Sequence, residues 1–206
     1  MRKLLLLGTL VGISSLAHAT TITAPSSLNT LDGVDAYSWG ISIPVPQGQT
    51  VTSASIDFTS VTLQAANSSG TGYLYTDLLN SQKSGVATAS DNDAPGDYWA
   101  TQFSGANITA LGSQFFKSVG TTLTWSYVLN ASQLASLNVY LTAGSFNIGI
   151  DPDCHYSVGA ITFDYTLSPE HNNTVPDAAT TALLLVLGLG ALEIVRRQIV
   201  ARSAKA

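Results

Sequence analysis

The patterning of the chain predicts an all-β fold, a two-sheet antiparallel sandwich of jelly-roll-like type with one short helix, followed by a separate C-terminal transmembrane helix. Three observations carry this expectation. Short segments alternate apolar and polar residues with period two, the stretches between them are rich in Gly, Pro, Asn and Asp, and one long apolar run stands apart near the C-terminus.

In chain order, residues 1–19 read as a signal peptide. Arg2-Lys3 is the positive start, residues 4–16 are an apolar stretch of 13 residues, and Ala17-His18-Ala19 is an A-x-A site. Thirteen residues are too few to span a bilayer, so signal peptidase is expected to cut before Thr20. Within residues 20–167, alternation marks strands at 37–43, 51–63, 73–79, 98–103, 139–142 and 146–150. The period is clearest at Leu123, Trp125, Tyr127 and Leu129, opposite Thr122, Thr124 and Ser126. It is equally clear at Ile161, Phe163, Tyr165 and Leu167, opposite Thr162, Asp164 and Thr166. Inside 51–63 the register slips between Phe58 and Val61, the mark of a bulge or of a move between sheets. Only 130–137 reads as helix, with Asn130 as N-cap and Leu134 and Leu137 three apart.

Residues 168–174 form a polar linker. Beyond it, 178–195 is an 18-residue run broken by one charge, Glu193. As a helix it is about 27 Å long, enough to cross the hydrocarbon core. Arg196 and Arg197 then hold its end on the cytoplasmic side, and 198–206 is a cytoplasmic tail. With Arg2-Lys3 inside as well, the residues between lie outside the cytoplasm.

Charge narrows the possible partners. Residues 20–174 hold 11 of the chain's 13 acids but only two of its eight bases, Lys83 and Lys117, for a net charge of about −9. Such a surface has no basic footprint for nucleic acid or anionic membrane, and it suits divalent cations. The single cysteine, Cys154, allows no internal disulfide; it reads as a buried thiol first, with a metal-adjacent residue or an intermolecular bridge as the alternatives.

Two acidic segments carry possible chemistry. In Asp151-Pro152-Asp153 extended geometry sends both carboxylates to one side, with His155 next in the alternation. Carboxylates this close repel unless something offsets them, so Asp151 and Asp153 are candidate metal ligands. A second group, Asp91, Asp93 and Asp97, surrounds a turn at Gly96 but lacks the closing Glu of an EF-hand loop. Calcium takes six to eight oxygens, so the two segments would have to act together, with Asp32, Asp35 or Asp77. The plainer alternative is that these aspartates make turns and cap element ends. Of the three tryptophans, Trp39 and Trp125 fall in strand patterns, and Trp99 is the candidate exposed platform for a sugar.

The tail resembles the PEP-CTERM family of sorting tags, in a variant written Val-Pro-Asp. The matching residues are Val175, Pro176 and Asp177, the apolar helix 178–195, and Arg196 with Arg197. The stretch Gly-Ile-Asp-Pro-Asp-Cys-His-Tyr at 149–156 is similar to one in exported domains bearing the same tag. The resemblance implies a Gram-negative bacterial host and an exosortase-type membrane transpeptidase acting near residues 175–177. It also implies an inner-membrane stage before release to the cell surface or an exopolysaccharide-rich matrix. The expectation is therefore a non-enzymatic surface or matrix protein. The alternatives are a carbohydrate-binding module, calcium-dependent or not, and a secreted hydrolase using Asp151, Asp153 and His155.

Overall fold

In the computed structural model the residues described are 18–66, 70–92 and 95–169. The expected signal sequence up to residue 17, Asp93, most of the linker, the tag residues 175–197 with the span 178–195, and the tail lie outside them. The chain divides into two units, Met1–Glu170 and His171–Ala206, and everything described belongs to the first. Among the described residues no helix is long and apolar enough to cross a membrane.

The strands are β1 (His18–Thr23), β2 (Thr30–Leu31), β3 (Asp35–Ser42), β4 (Gln49–Ala65), β5 (Gly72–Leu79), β6 (Gly85–Ser90), β7 (Ile108–Phe116), β8 (Thr122–Val128), β9 (Ser145–Pro152), β10 (His155–Ser157) and β11 (Ala160–Pro169). Two helices interrupt them, α1 (Tyr98–Gln102) and α2 (Ala131–Leu141). Every strand pairing is antiparallel. One sheet runs β1-β11-β4-β10-β2, with β8 also on β4, and the other runs β6-β3-β9-β5-β7. The expected two-sheet antiparallel architecture is present.

The alternation seen in the sequence is what welds the sheets together. Ile56, Phe58, Ile161 and Phe163 from the first sheet meet Trp39, Ile41, Leu74, Phe146 and Ile148 from the second in one buried cluster. The Phe146 and Phe163 rings touch across the interface with centroids 5.3 Å apart. The register break in β4 falls where it was expected: pairing with β8 shifts between Phe58 and Val61. Ser60 sits there at φ 51°, in the left-handed region, and its N–H donates to Thr124 Oγ1.

Several expectations need correction. The stretch 98–103 is the helix α1, not a strand. Asp97 caps it, accepting from the Ala100 N–H at 3.2 Å, and Trp99 and Phe103, four apart, lie on one side of it with ring centroids 6.1 Å apart. The expected strand at 139–142 is the last turn of α2. Leu137, Tyr140 and Leu141 recur at helical spacing on the buried face, while Val139 stands 61% exposed. The N-cap is Asn130 as expected, with a capping box closed by Gln133. Strands β6 and β7 were not anticipated. Gly-Val-Ala-Thr-Ala-Ser carries no large side chain, and β7 is punctuated by Gly112 at φ 146°. Ser168 and Pro169, assigned to the linker, extend β11 against Thr50 and Gln49. Strand β1 runs across the expected cleavage point, and Thr20–Thr23 pair with Tyr165–Thr162 beyond it.

Candidate functional site

The outer face of the second sheet, turned away from the shared core, is where the acidic segments converge. Tyr75 is opposite Asp151 in the β5–β9 ladder, and Asp77 is opposite Gly149. Directly paired residues share a face and so do residues two apart, so Tyr73, Tyr75, Asp77, Gly149 and Asp151 all point the same way. The residues between β6 and β7 fold back over this face. Trp99 of α1 packs there with Ala36 and Leu79 in a small second core, flanked by Tyr98, Phe103, Ala89 and Ile108. Gly149 makes room for the indole: a Cβ there would lie 2.7 Å from Trp99 Cδ1.

Trp99 is thus only 7% exposed. The expectation of an exposed platform at Trp99 does not hold, because the chain turns helical at Asp97 and lays the indole on the sheet. Its edge helps line a shallow cleft of about 260 Å³ between α1, β6 and Lys83.

Asp151 is fully buried beneath the start of α1, where its Oδ2 accepts from the Tyr98 N–H at 2.6 Å. Its Oδ1 is buried with no hydrogen-bond partner. Asp153 accepts from the backbone of Gly96, and its Oδ1 is likewise buried without a partner. Asp77 is 1% exposed, its Oδ2 has no hydrogen-bond donor, and its carboxyl is within hydrogen-bonding reach of that of Asp97. Asp91 is buried and acts electrostatically on both Asp151 and Asp153.

The electrostatics follow from this crowding. Burial, first, and then the charges of Asp97 and Asp151 push Asp77 up to about 8. Asp151 is raised to about 7, by burial and by Asp91, Asp153 and Asp97, against the lowering effect of the Tyr98 N–H. Asp153 is raised to about 6, by burial and by Asp91 and Asp97, the Gly96 bond working the other way. Neither Lys83 nor Lys117 is among the charges acting on these three.

Asp91, Asp97, Asp151 and Asp153 come together with Asp77, while Asp93 lies outside the described residues. Asp32 is elsewhere, with its Oδ1 3.0 Å from His155 Nδ1. His155 does not continue the alternation of Asp151 and Asp153. Strand β9 ends at Pro152 and His155 opens β10, which belongs to the other sheet. Cys154 is buried as expected, its Sγ donating to the Thr71 carbonyl at 3.5 Å. Among the described residues no group of three or more His, Cys, Asp and Glu is placed so that it could hold a metal ion.

One feature of this face had not been singled out. Tyr73 and Phe115, opposite each other on β5 and β7, are 39% and 44% exposed with ring centroids 5.0 Å apart. Tyr75 extends the row, 5.9 Å from Tyr73, and brings it up to Asp153. The period-two placement of Tyr73 and Tyr75 was legible; that they face away from the core was not.

Residues 174–199 match the VPDSG-CTERM motif. The match takes in Val175, Pro176, Asp177, Arg196 and Arg197 and supports a sorting tag of PEP-CTERM type at the C-terminus. That is the mark of an exported, membrane-associated protein sorted to the surface or beyond. Among curated proteins the chain has no match.

Proposed function

We propose that this chain is a non-enzymatic surface or extracellular-matrix protein. A jelly-roll-like sandwich is exported behind a cleaved leader, held by the helix 178–195, and passed to an exosortase that acts near Val175-Pro176-Asp177. The observation that carries the reading is the VPDSG-CTERM match over 174–199. The mechanics are physical. A span of about 27 Å parks the Val-Pro-Asp segment at the outer membrane–water interface, within reach of a membrane-embedded transpeptidase, while Arg196 and Arg197 stop further passage.

Mass spectrometry of the mature protein tests the sorting step. The expected product begins at Thr20 and ends close to Asp177; a mature chain still carrying 178–206 at the cell surface would refute exosortase processing.

A second reading, carbohydrate binding, is favoured by the exposed row of Tyr73, Phe115 and Tyr75 on one sheet face. Aromatic faces of this kind stack on pyranose rings. Binding of the matrix exopolysaccharide should fall at least tenfold with Tyr73→Ala combined with Phe115→Ala. Equal retention of the native and doubly substituted proteins on that polysaccharide would remove the row as a sugar site.

A further inference from the structure

We propose that Asp77, Asp97, Asp151 and Asp153, with Asp91 beside them, bind one calcium ion between β5, the end of β9 and the segment that leads into α1. The inference goes beyond export and does not depend on it. Aspartates alone would not carry it, since several of them have structural work: Asp97 caps α1, Asp151 holds the Tyr98 N–H and Asp153 holds the Gly96 backbone. Each role uses one side of a carboxylate, and Asp151 Oδ1 and Asp77 Oδ2, on side chains 0% and 1% exposed, have no hydrogen-bond partner. Buried polar atoms without a partner are rare and destabilising, so these two oxygens call for a ligand.

The charges that act on these two groups are those of other carboxylates. Asp77 and Asp97 approach within hydrogen-bonding reach although neither side chain can donate when ionised. Asp151 has Asp91, Asp153 and Asp97 around it. Like charges packed in this way need a shared proton or a cation between them, and neither of the described lysines, Lys83 and Lys117, acts on Asp77, Asp151 or Asp153.

The donor set selects the ion. His155 is turned to Asp32 and Cys154 Sγ to Thr71, so the cluster presents oxygen alone and suits a hard cation rather than zinc or copper. Five carboxylates on three separate segments form a flexible, oxygen-rich cage of the kind calcium accepts, whereas magnesium prefers few carboxylates and keeps its waters. Among the described residues no three of these carboxylates are placed so that they could hold a metal ion as they stand, so binding requires them to close up, which would fasten the 95–103 segment onto the sheet.

The full exported chain, purified in detergent and stripped with EDTA, tests this by equilibrium dialysis with radioactive calcium and by thermal unfolding followed through tryptophan fluorescence. The expected result is one ion per chain and a melting temperature raised by roughly 5–10 °C when calcium exceeds its dissociation constant a hundredfold. Asp151→Asn keeps an acceptor for the Tyr98 N–H but removes the charge; it should cut calcium affinity at least tenfold. Asp153→Asn, at a half-buried position, should do the same and serves if the first variant does not fold. Asp32→Asn, outside the cluster, should keep the full calcium shift. Absence of bound calcium in the native chain would overturn the proposal, as would undiminished binding by both cluster variants. An equal shift with magnesium at the same concentration would overturn the assignment to calcium.

Discussion

Replacing Gly149 with alanine probes the joint on which the acidic cluster depends. The added methyl would lie 2.7 Å from Trp99 Cδ1, 3.0 Å from its Cγ and 3.1 Å from Leu79 Cδ1. Neither side can yield easily: the indole is held by Tyr98 and Phe103, with ring centroids at 5.0 and 6.1 Å, and Leu79 is buried. Overpacking of this kind costs about 1–3 kcal/mol. The loss of glycine's freedom in the unfolded chain offsets about 0.4–1 kcal/mol of it. The two ranges leave a net destabilisation centred on about 1.3 kcal/mol, which for a domain of this size lowers the melting temperature by roughly 3–5 °C. Urea unfolding followed by tryptophan fluorescence, with Gly149→Ala, Trp99→Ala and the double variant, gives the interaction directly. In the double variant the methyl has room, so the two losses should fall short of additive by about 1 kcal/mol. If Gly149→Ala is as stable as the native protein, or the two changes add, then α1 does not rest on β9 as described, and the placing of Asp97 and Tyr98 over Asp151 fails with it.

Two further substitutions test local devices. Asn130→Ala removes the acceptor for the Ser132 and Gln133 N–H groups and opens the capping box of α2; a loss of about 1 kcal/mol in urea unfolding is expected, and no loss would show that the cap contributes nothing. Ser60→Gly relieves a residue held at φ 51° in the β4 bulge while keeping the N–H that donates to Thr124. It should leave stability unchanged or raise it by up to about 1 kcal/mol, whereas Ser60→Val should destabilise; the opposite order would contradict the left-handed backbone at that position.

Much of the sandwich could be read from residue order because strand burial has period two. Phe58, Trp125, Ile161 and Phe163 announce an inward face whatever they pair with, and the slip between Phe58 and Val61 shows in the pattern itself. Edge elements were harder to see for the same reason. Strand β6 is built of Val and small residues and lies on a face covered by α1, so there was little apolar alternation to detect. In Tyr98–Gln102 three features agree on a helix: the Asp97 cap, the i,i+4 pairing of Trp99 with Phe103, and a bed of Ala36 and Gly149. Only the first two lie in the local sequence.

The resemblance of Val175-Pro176-Asp177, the apolar run after it and Arg196-Arg197 to a sorting tag could be seen in the sequence because the tag is carried by contiguous residues, and the VPDSG-CTERM match over 174–199 supports it. Local chemistry was enough to mark Asp91, Asp97, Asp151 and Asp153 as carboxylates in need of an explanation. Their meeting with Asp77, the burial of Asp151 and Trp99, and the turning of His155 toward Asp32 depend on which strands lie side by side. Residues 77 and 151 are 74 positions apart in the chain, and pairing across that distance is set by how two whole sheets bury their faces, not by any neighbouring residue.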